Sequence, residues 1–157
     1  MKIKALVMDI DGTLTDGGLY IGDQGEEVKR FHVKDGYGIC HLLPSMGIIP
    51  IIITGRNSKI VVNRCKELGI TRIVQASSDK VKDMLRILQL EGISVEETAY
   101  IGDDLNDYEC MEKVAIKGCP CDAVEEIRKI SNYISKSSGG NGAVREFIEW
   151  IKTEKLY

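Results

Sequence analysis

No stretch of this sequence stays apolar long enough to span a bilayer. Nor is there a basic excess that would favour nucleic acid or an anionic membrane, because the formal net charge is -3. No CxxC pair occurs. The five cysteines (Cys40, Cys65, Cys110, Cys119, Cys121) are odd in number, which argues against a disulfide framework and for a reducing, cytoplasmic compartment. Histidine is scarce. A structural zinc site wants four clustered ligands, and only the isolated His32 and His41 could join Cys119-Pro120-Cys121. The thiols are therefore read as buried or half-buried packing groups, and the two histidines as packing or surface residues. No leader segment is visible before the first apolar run, and there are no internal repeats, linkers or low-complexity runs. The 157 residues, 43% hydrophobic and 29% charged, suit a single domain over 1-157 with a sizeable core.

The informative stretch is Lys4 to Thr15, KALVMDIDGTLT. Ala5 to Met8 is a short apolar run that stops at turn residues, which predicts a buried strand. Asp9 and Asp11 stand where that strand ends, the edge at which open α/β sheets bind ligands. Two carboxylates this close repel, so they need a cation, a shared proton or both. Gly12 allows a sharp turn and a close approach to a ligand. A solvated Asp-Gly turn is the plainer alternative.

Beyond it, Leu19 to Ile21 and Glu26 to Phe31 flank Gly22-Asp23-Gln24-Gly25, which predicts a β-hairpin. Val28 and Phe31 read as its apolar side, with Glu27, Lys29 and Arg30 opposite. Leaving the end of the first strand, it is placed as a flap beside the site. Asp35-Gly36-Tyr37-Gly38 opens a helix to about Ser45, with Asp35 as N-cap. That loop is either a plain helix start or a ligand-facing backbone. Ile48 to Ile53 is a second strand ending in Thr54-Gly55-Arg56. A helix with Ile60, Val61, Cys65 and Leu68 follows, closed by Gly69. Arg72 to Gln75 is a third strand. Ser77-Ser78 is read as the cap of a helix whose inward face is Val81, Met84, Leu85 and Leu88. Lys80 lies in its first turn, where a cation opposes the helix dipole and so invites a functional explanation. Thr98 to Ile101 is a fourth strand, with Gly102-Asp103-Asp104 and Asp107 after it. Val114 to Ile116 is read as a fifth strand and Tyr133-Ile134 as a last one. Between them Val124 to Ile130 reads as a helix, and a final helix carries Val144, Phe147, Ile148 and Ile151. Alternating strands and helices predict an α/β fold with a doubly wound, mostly parallel, Rossmann-like sheet.

In such a sheet Asp9, Asp11, Thr54, Asp103 and Asp104 emerge at one edge. A cluster this acidic suits a hard divalent ion with oxygen ligands, Mg²⁺.

DIDGTLTDGG resembles the first motif of the haloacid dehalogenase superfamily. Thr54, Lys80 and Gly102-Asp103-Asp104 follow in the order of its later motifs. The resemblance implies that Asp9 is the nucleophile, Asp11 the general acid/base, and Thr54 and Lys80 the phosphoryl-gripping and charge-balancing catalytic groups. It implies Mg²⁺ on Asp9, the backbone carbonyl of Asp11, and Asp103, with Asp104 and Asp107 as weaker candidates. A receiver-type signalling domain is disfavoured, because its acidic pair comes early and its phospho-acceptor sits on a middle strand. A non-catalytic regulatory module is disfavoured by the intact motif residues.

Neither gap between motifs is large enough for a cap domain. With DIDGTLTDGGLY, GEEVKRF, KDGYGI, ITGR, YIGDDLND and GGNGAVREF, the chain resembles the capless branch acting on 3-deoxy-D-manno-octulosonate 8-phosphate and related nonulosonate 9-phosphates. A longer C-terminal tail is not present in this sequence. Arg56 is expected to pair with a substrate carboxylate, with an intramolecular salt bridge as the alternative. Gly55, Asp35, Gly36 and Arg145 are further substrate-binding candidates. The resemblance also implies a homotetramer, with hairpins in mutual contact through Leu19, Ile21, Val28 and Phe31 and a neighbour covering each site.

Overall fold

The computed structural model describes residues 2–157. Strand β1 (Ala5–Met8) is buried at all four positions. It can be apolar on both faces because it lies mid-sheet between helical layers. Next come the hairpin strands β2 (Tyr20–Gly22) and β3 (Gly25–Val28), then a helical run. That run joins α1 (Val33–Tyr37) to α2 (Leu43–Ser45) through a widened turn over Gly38–Leu42. The rest alternates: β4 (Ile49–Ile53), α3 (Lys59–Glu67), β5 (Arg72–Val74), α4 (Lys80–Glu91), β6 (Thr98–Ile101), α5 (Leu105–Lys113), β7 (Ile116–Cys119), α6 (Glu125–Ile130), β8 (Tyr133–Ile134) and α7 (Ala143–Thr153).

The main sheet runs β5-β4-β1-β6-β7-β8, and each of its pairings is parallel. The chain first winds from β1 outward through β4 and β5. It then returns to the other side of β1 and winds outward again through β6, β7 and β8. The order therefore reverses between β1 and β6, where a crevice forms above the carboxyl ends of the strands. Register closes that crevice tightly: Met8 pairs with both Ile52 and Ile101. Every motif that follows β1, β4 or β6 is thus delivered to one place.

Period-two alternation splits the core by face. Leu6, Met8, Ile52 and Ile101 pack with Ile39, Leu43, Val61, Cys65, Phe147, Ile148 and Ile151. Val7, Ile51, Ile53 and Tyr100 pack with Met84, Ile87, Leu88, Cys110, Met111 and Ile127 on the opposite face. The final helix buries Val144, Phe147, Ile148 and Ile151, the stripe its spacing predicts. All five cysteines are free, three of them buried and two half-buried. Among the described residues, no helix is long and apolar enough to cross a membrane.

Several local expectations need correction. His32, not Asp35, caps α1, its Nδ1 accepting from the Lys34 N–H at 3.2 Å. Asp35 instead turns inward and is buried. Asp79, not Ser77 or Ser78, caps α4 by accepting from the Lys82 N–H. That helix buries Lys80, Met84, Ile87 and Leu88, while Leu85 is 43% exposed. The helix is rotated to bring Lys80 inward, and Leu85 falls outside the resulting stripe. The fifth strand of the sheet starts at Ile116, because the Ala115 N–H is already taken by the carbonyls of Val95 and Thr98. In the hairpin the expected sides are exchanged near its base: Val28 is exposed and Lys29 is buried.

Candidate active site

Asp9 follows β1 directly, its N–H donating to the Ile101 carbonyl at 3.1 Å. The chain then coils tightly through Ile10–Leu14, with Gly12 at φ +92. A Cβ on Gly12 would lie 2.1 Å from a carboxylate oxygen of Asp103, so both the dihedral and the close approach require glycine. Asp103, carried by the end of β6, is pinned from the same loop by the Thr13 hydroxyl, which donates to its Oδ1 at 2.8 Å.

Behind these two carboxylates lies a buried anchor. Lys80 Nζ donates to Asp9 Oδ1 at 2.8 Å and to Asp107 Oδ1 at 2.7 Å. The Tyr100 hydroxyl donates to the same Asp107 oxygen at 2.7 Å, and the Asp103 N–H donates to Asp107 Oδ2 at 3.1 Å. Asp107 is fully buried. It also belongs to the capping box of α5, whose N-cap is the exposed Asp104. The cation at the start of α4 is thus repaid for its unfavourable dipole by two carboxylates.

The electrostatics leave a deficit of positive charge. Burial and the nearby Asp107 push the Asp9 carboxyl up to about 8, although Lys80 pulls it down. Burial pushes Asp103 up to about 7, against the Thr13 hydrogen bond. Burial disfavours the Lys80 ammonium, but Asp9 and Asp107 outweigh it and its pKa is raised. Asp9, Asp103 and Asp107 bring oxygen atoms within 4.8 Å of one another. When all three are ionised, three carboxylates against one ammonium leave two negative charges in excess, which fits a divalent cation with oxygen ligands. Asp107 is a poor ligand for such an ion, since Lys80, Tyr100 and the Asp103 N–H already occupy both of its oxygens. Asp9 and Asp103 are the carboxylates left to hold it.

In front of the anchor, Asp9, Asp11, Thr54, Gly55, Arg56, Asp104 and Asn106 line an open cleft. Thr54 is buried at the end of β4. Asp11 is partly exposed there, and one of its oxygens is bound by Lys29. Asp35, Gly36 and Arg145 are not brought to this cleft. Asp35 Oδ1 accepts from the Arg145 N–H at 2.8 Å, tying α1 to the start of α7. Burial raises its pKa, opposed by the Arg145 and Gly142 N–H groups. Gly36 faces Arg64 and Leu68 at the end of α3. The Arg145 guanidinium pairs with Glu149 at 2.7 Å and lies over the Tyr37 ring.

Three contributors escape a motif-based reading. Tyr100 is one, and its signal was available: a buried phenol on a central strand must find an acceptor. Asp107 is another, read as a peripheral acid when it is the best-bound carboxylate of the site. Lys29 is the third. Residues 29 and 31 share a strand face, so an inward Phe31 implies an inward Lys29.

Comparison with known proteins agrees with this geometry. The model of haloacid dehalogenase-like hydrolases matches residues 66–148. The 3-deoxy-D-manno-octulosonate 8-phosphate phosphatase of Escherichia coli K12 is 43% identical over 96% of this chain and 79% of its own. Among solved structures, the same-named enzyme of Yersinia pestis superposes with a TM-score of 0.92 at 40% identity, covering 98% of this chain and 84% of that one. The Moraxella catarrhalis enzyme, in complex with magnesium ion, phosphate ion and a KDO molecule, superposes with a TM-score of 0.91 at 40% identity, covering 98% and 89%. This chain belongs to the haloacid dehalogenase-like hydrolases, in the branch that holds these 3-deoxy-D-manno-octulosonate 8-phosphate phosphatases.

Proposed function

We propose that this protein is a Mg²⁺-dependent phosphomonoesterase that hydrolyses 3-deoxy-D-manno-octulosonate 8-phosphate through an aspartyl-phosphate. The observation that carries the reaction class is the meeting of Asp9, Asp103 and Asp107 around the single cation Lys80 at the sheet's switch point, which leaves two negative charges uncompensated when all three are ionised. The substrate rests on likeness across almost the whole chain to phosphatases of that sugar acid.

A phosphate monoester dianion has to approach an anionic nucleophile. Asp9, Asp103 and the Asp11 carbonyl would hold Mg²⁺, which would supply positive charge to offset that repulsion. Lys80 keeps one Asp9 oxygen fixed, and the other is available to attack phosphorus in line. As the new bond to Asp9 forms, the bond to the sugar oxygen breaks, and Asp11 donates its proton to that oxygen. Asp11 then takes a proton from the water that attacks phosphorus, returning Asp9 as carboxylate and releasing inorganic phosphate. Thr54 and the N–H groups of its loop hold phosphoryl oxygens. Gly55 and Arg56, which share the cleft, receive the sugar acid. Asp35, Gly36 and Arg145 act behind the cleft by setting α1 against α3 and α7.

Residues 1–157 act as one domain and assemble as a homotetramer. Leu19, Tyr20, Ile21 and Val28 of the hairpin are 45%, 54%, 64% and 52% exposed, an apolar surface that a two-stranded ribbon cannot bury alone. A neighbour's hairpin would cover it and complete the pocket. Five free thiols fit a cytoplasmic setting.

The test is steady phosphate release from a panel of sugar-acid phosphates, read as kcat/KM, with and without chelator. The eight-carbon ester should lead, and activity should vanish without the divalent ion. A lead for nine-carbon nonulosonate 9-phosphates would move the substrate to the neighbouring class. Full activity in metal-free buffer would overturn the charge argument.

A further inference from the structure

The acid/base carboxylate is held from outside the sheet. Lys29, just past β3, has a side chain only 1% exposed, and its ammonium ends on Asp11 Oδ1. Asp11 Oδ2 makes no hydrogen bond among the described residues, and Asp11 itself lines the cleft. A carboxylate on a two-χ side chain is free to rotate unless something binds one oxygen. Here something does, and only the second oxygen is left for a reacting group.

The hairpin that supplies Lys29 is itself clamped at its base. Arg30 donates to the Gly140 carbonyl at 3.1 Å and to Asn141 Oδ1 at 3.0 Å. Phe31 bridges to Thr15 in antiparallel fashion. The Gly140 N–H donates to the Thr13 carbonyl at 3.1 Å, and a Cβ on Gly139 would sit 1.8 Å from the Gly12 carbonyl oxygen. The catalytic loop is therefore gripped between the hairpin's stem and the Gly139–Gly140 turn. A free hairpin would drift, but this one cannot shift Lys29 without shifting the loop that carries Asp11.

We propose that Lys29 is a positioning residue for proton transfer, fixing the Asp11 carboxyl so that its second oxygen meets the leaving sugar oxygen and later the attacking water. This deepens the phosphatase reading and rests on it. The step it serves is the one already balanced above: the P–O bond to the sugar breaks while the Asp11 proton passes to that oxygen. Lys29 is not among the residues that line the cleft, so its influence should follow the need for that proton.

Two esters separate the cases. An alkyl sugar-acid phosphate has a basic leaving oxygen that must be protonated. p-Nitrophenyl phosphate has a leaving group that departs without a proton. kcat/KM reports the first phosphoryl transfer for both. Lys29→Met should lower kcat/KM at least about 100-fold on the sugar-acid phosphate, the low end of what general acid/base catalysis contributes. On the aryl ester the loss should stay under about tenfold, and on the sugar acid it should appear in kcat rather than KM. Lys29→Arg should recover part of the loss, since a guanidinium keeps the charge but moves the donor. Equal losses on both esters, or no loss, would overturn the proposal. Should Lys29→Met fail to fold, Lys29→Arg decides alone: an ester-selective loss supports the proposal and an equal loss overturns it. Asp11→Asn is run in parallel. If it shows the ester-selective loss and Lys29→Met does not, the phosphatase reading stands and this one falls. If Asp11→Asn shows no selective loss, the acid role of Asp11 fails and this proposal fails with it.

Discussion

Lys80 and Lys29 are both buried, and each ends on one of the two aspartates that follow β1. They reach them in different ways. Lys80 sits on the first turn of α4, a twelve-residue helix packed on the sheet, and it is shared with Asp107, which Tyr100 and backbone N–H groups hold in turn. Lys29 comes from a two-stranded ribbon outside the sheet, held by contacts at its base. The nucleophile is therefore set by the hydrophobic core, and the acid/base by an appendage. Stability and catalysis should be coupled on the first side and separable on the second.

The severest break of that comparison is on the core side. Asp9→Asn should abolish turnover while leaving the fold intact, because the amide fills the same space but cannot attack as an anion. Wild-type kcat in that variant would sink the mechanism. Lys80→Met should lower kcat by roughly 100-fold to 1000-fold, the scale on which a preorganised charge contributes. It should also cost about 3–5 kcal/mol in urea unfolding, because Asp9 and Asp107 would remain buried without their cation. A variant as stable as wild type would mean that the anchor does not bear on the core.

The two sides also differ in how far they can be read from sequence. Asp9, Thr54 and Asp103 follow apolar runs that can only be central strands, so parallel alternation brings them to one edge without any tertiary detail. Lys80 was exposed by its conflict with the helix dipole. Lys29 had no such conflict, since a lysine in a charged hairpin looks solvated, and only the parity with Phe31 betrays it. Pairing Val28 with Phe31, three positions apart, hid that parity. Asp107 was underrated for another reason: its value lies in the phenol of Tyr100 and the ammonium of Lys80, groups remote in sequence that meet only after β6 and α4 pack. Asp35 looked like a cap from its place before a helix. Its partner turned out to be the start of α7, more than a hundred residues away.

On the appended side, Ile21→Asp sharpens the contrast. Ile21 is 64% exposed in the subunit, so a charge there should leave the subunit folded, and any fall in the unfolding midpoint should reflect only the lost assembly. In a tetramer joined through the hairpins it would be buried, and light scattering should show the assembly lost. Sugar-acid phosphate kcat/KM should then fall on the order of tenfold, as enclosure worth about 1.4 kcal/mol disappears. A wild-type chain that scatters as a fully active monomer would refute both the assembly and the shared pocket.

The smallest effect returns to the core side and asks how far its anchor is over-determined. Tyr100→Phe removes one hydroxyl and little volume. Asp107 Oδ1 loses the phenol but keeps Lys80, and Oδ2 keeps the Asp103 N–H. Loss of a hydrogen bond to an ionised, buried group should cost about 1.5 kcal/mol in urea unfolding. Because Lys80 still spans Asp107 and Asp9 at hydrogen-bond distance, kcat should change by less than about threefold, well under 1 kcal/mol of barrier. The variant thus separates stability from chemistry within the same cluster in which Lys80→Met destroys both. If Tyr100→Phe instead lowers kcat as much as Lys80→Met, then Asp107 cannot hold the ammonium without the phenol, and the anchor is one cooperative chain from Tyr100 through Asp107 and Lys80 to the nucleophile.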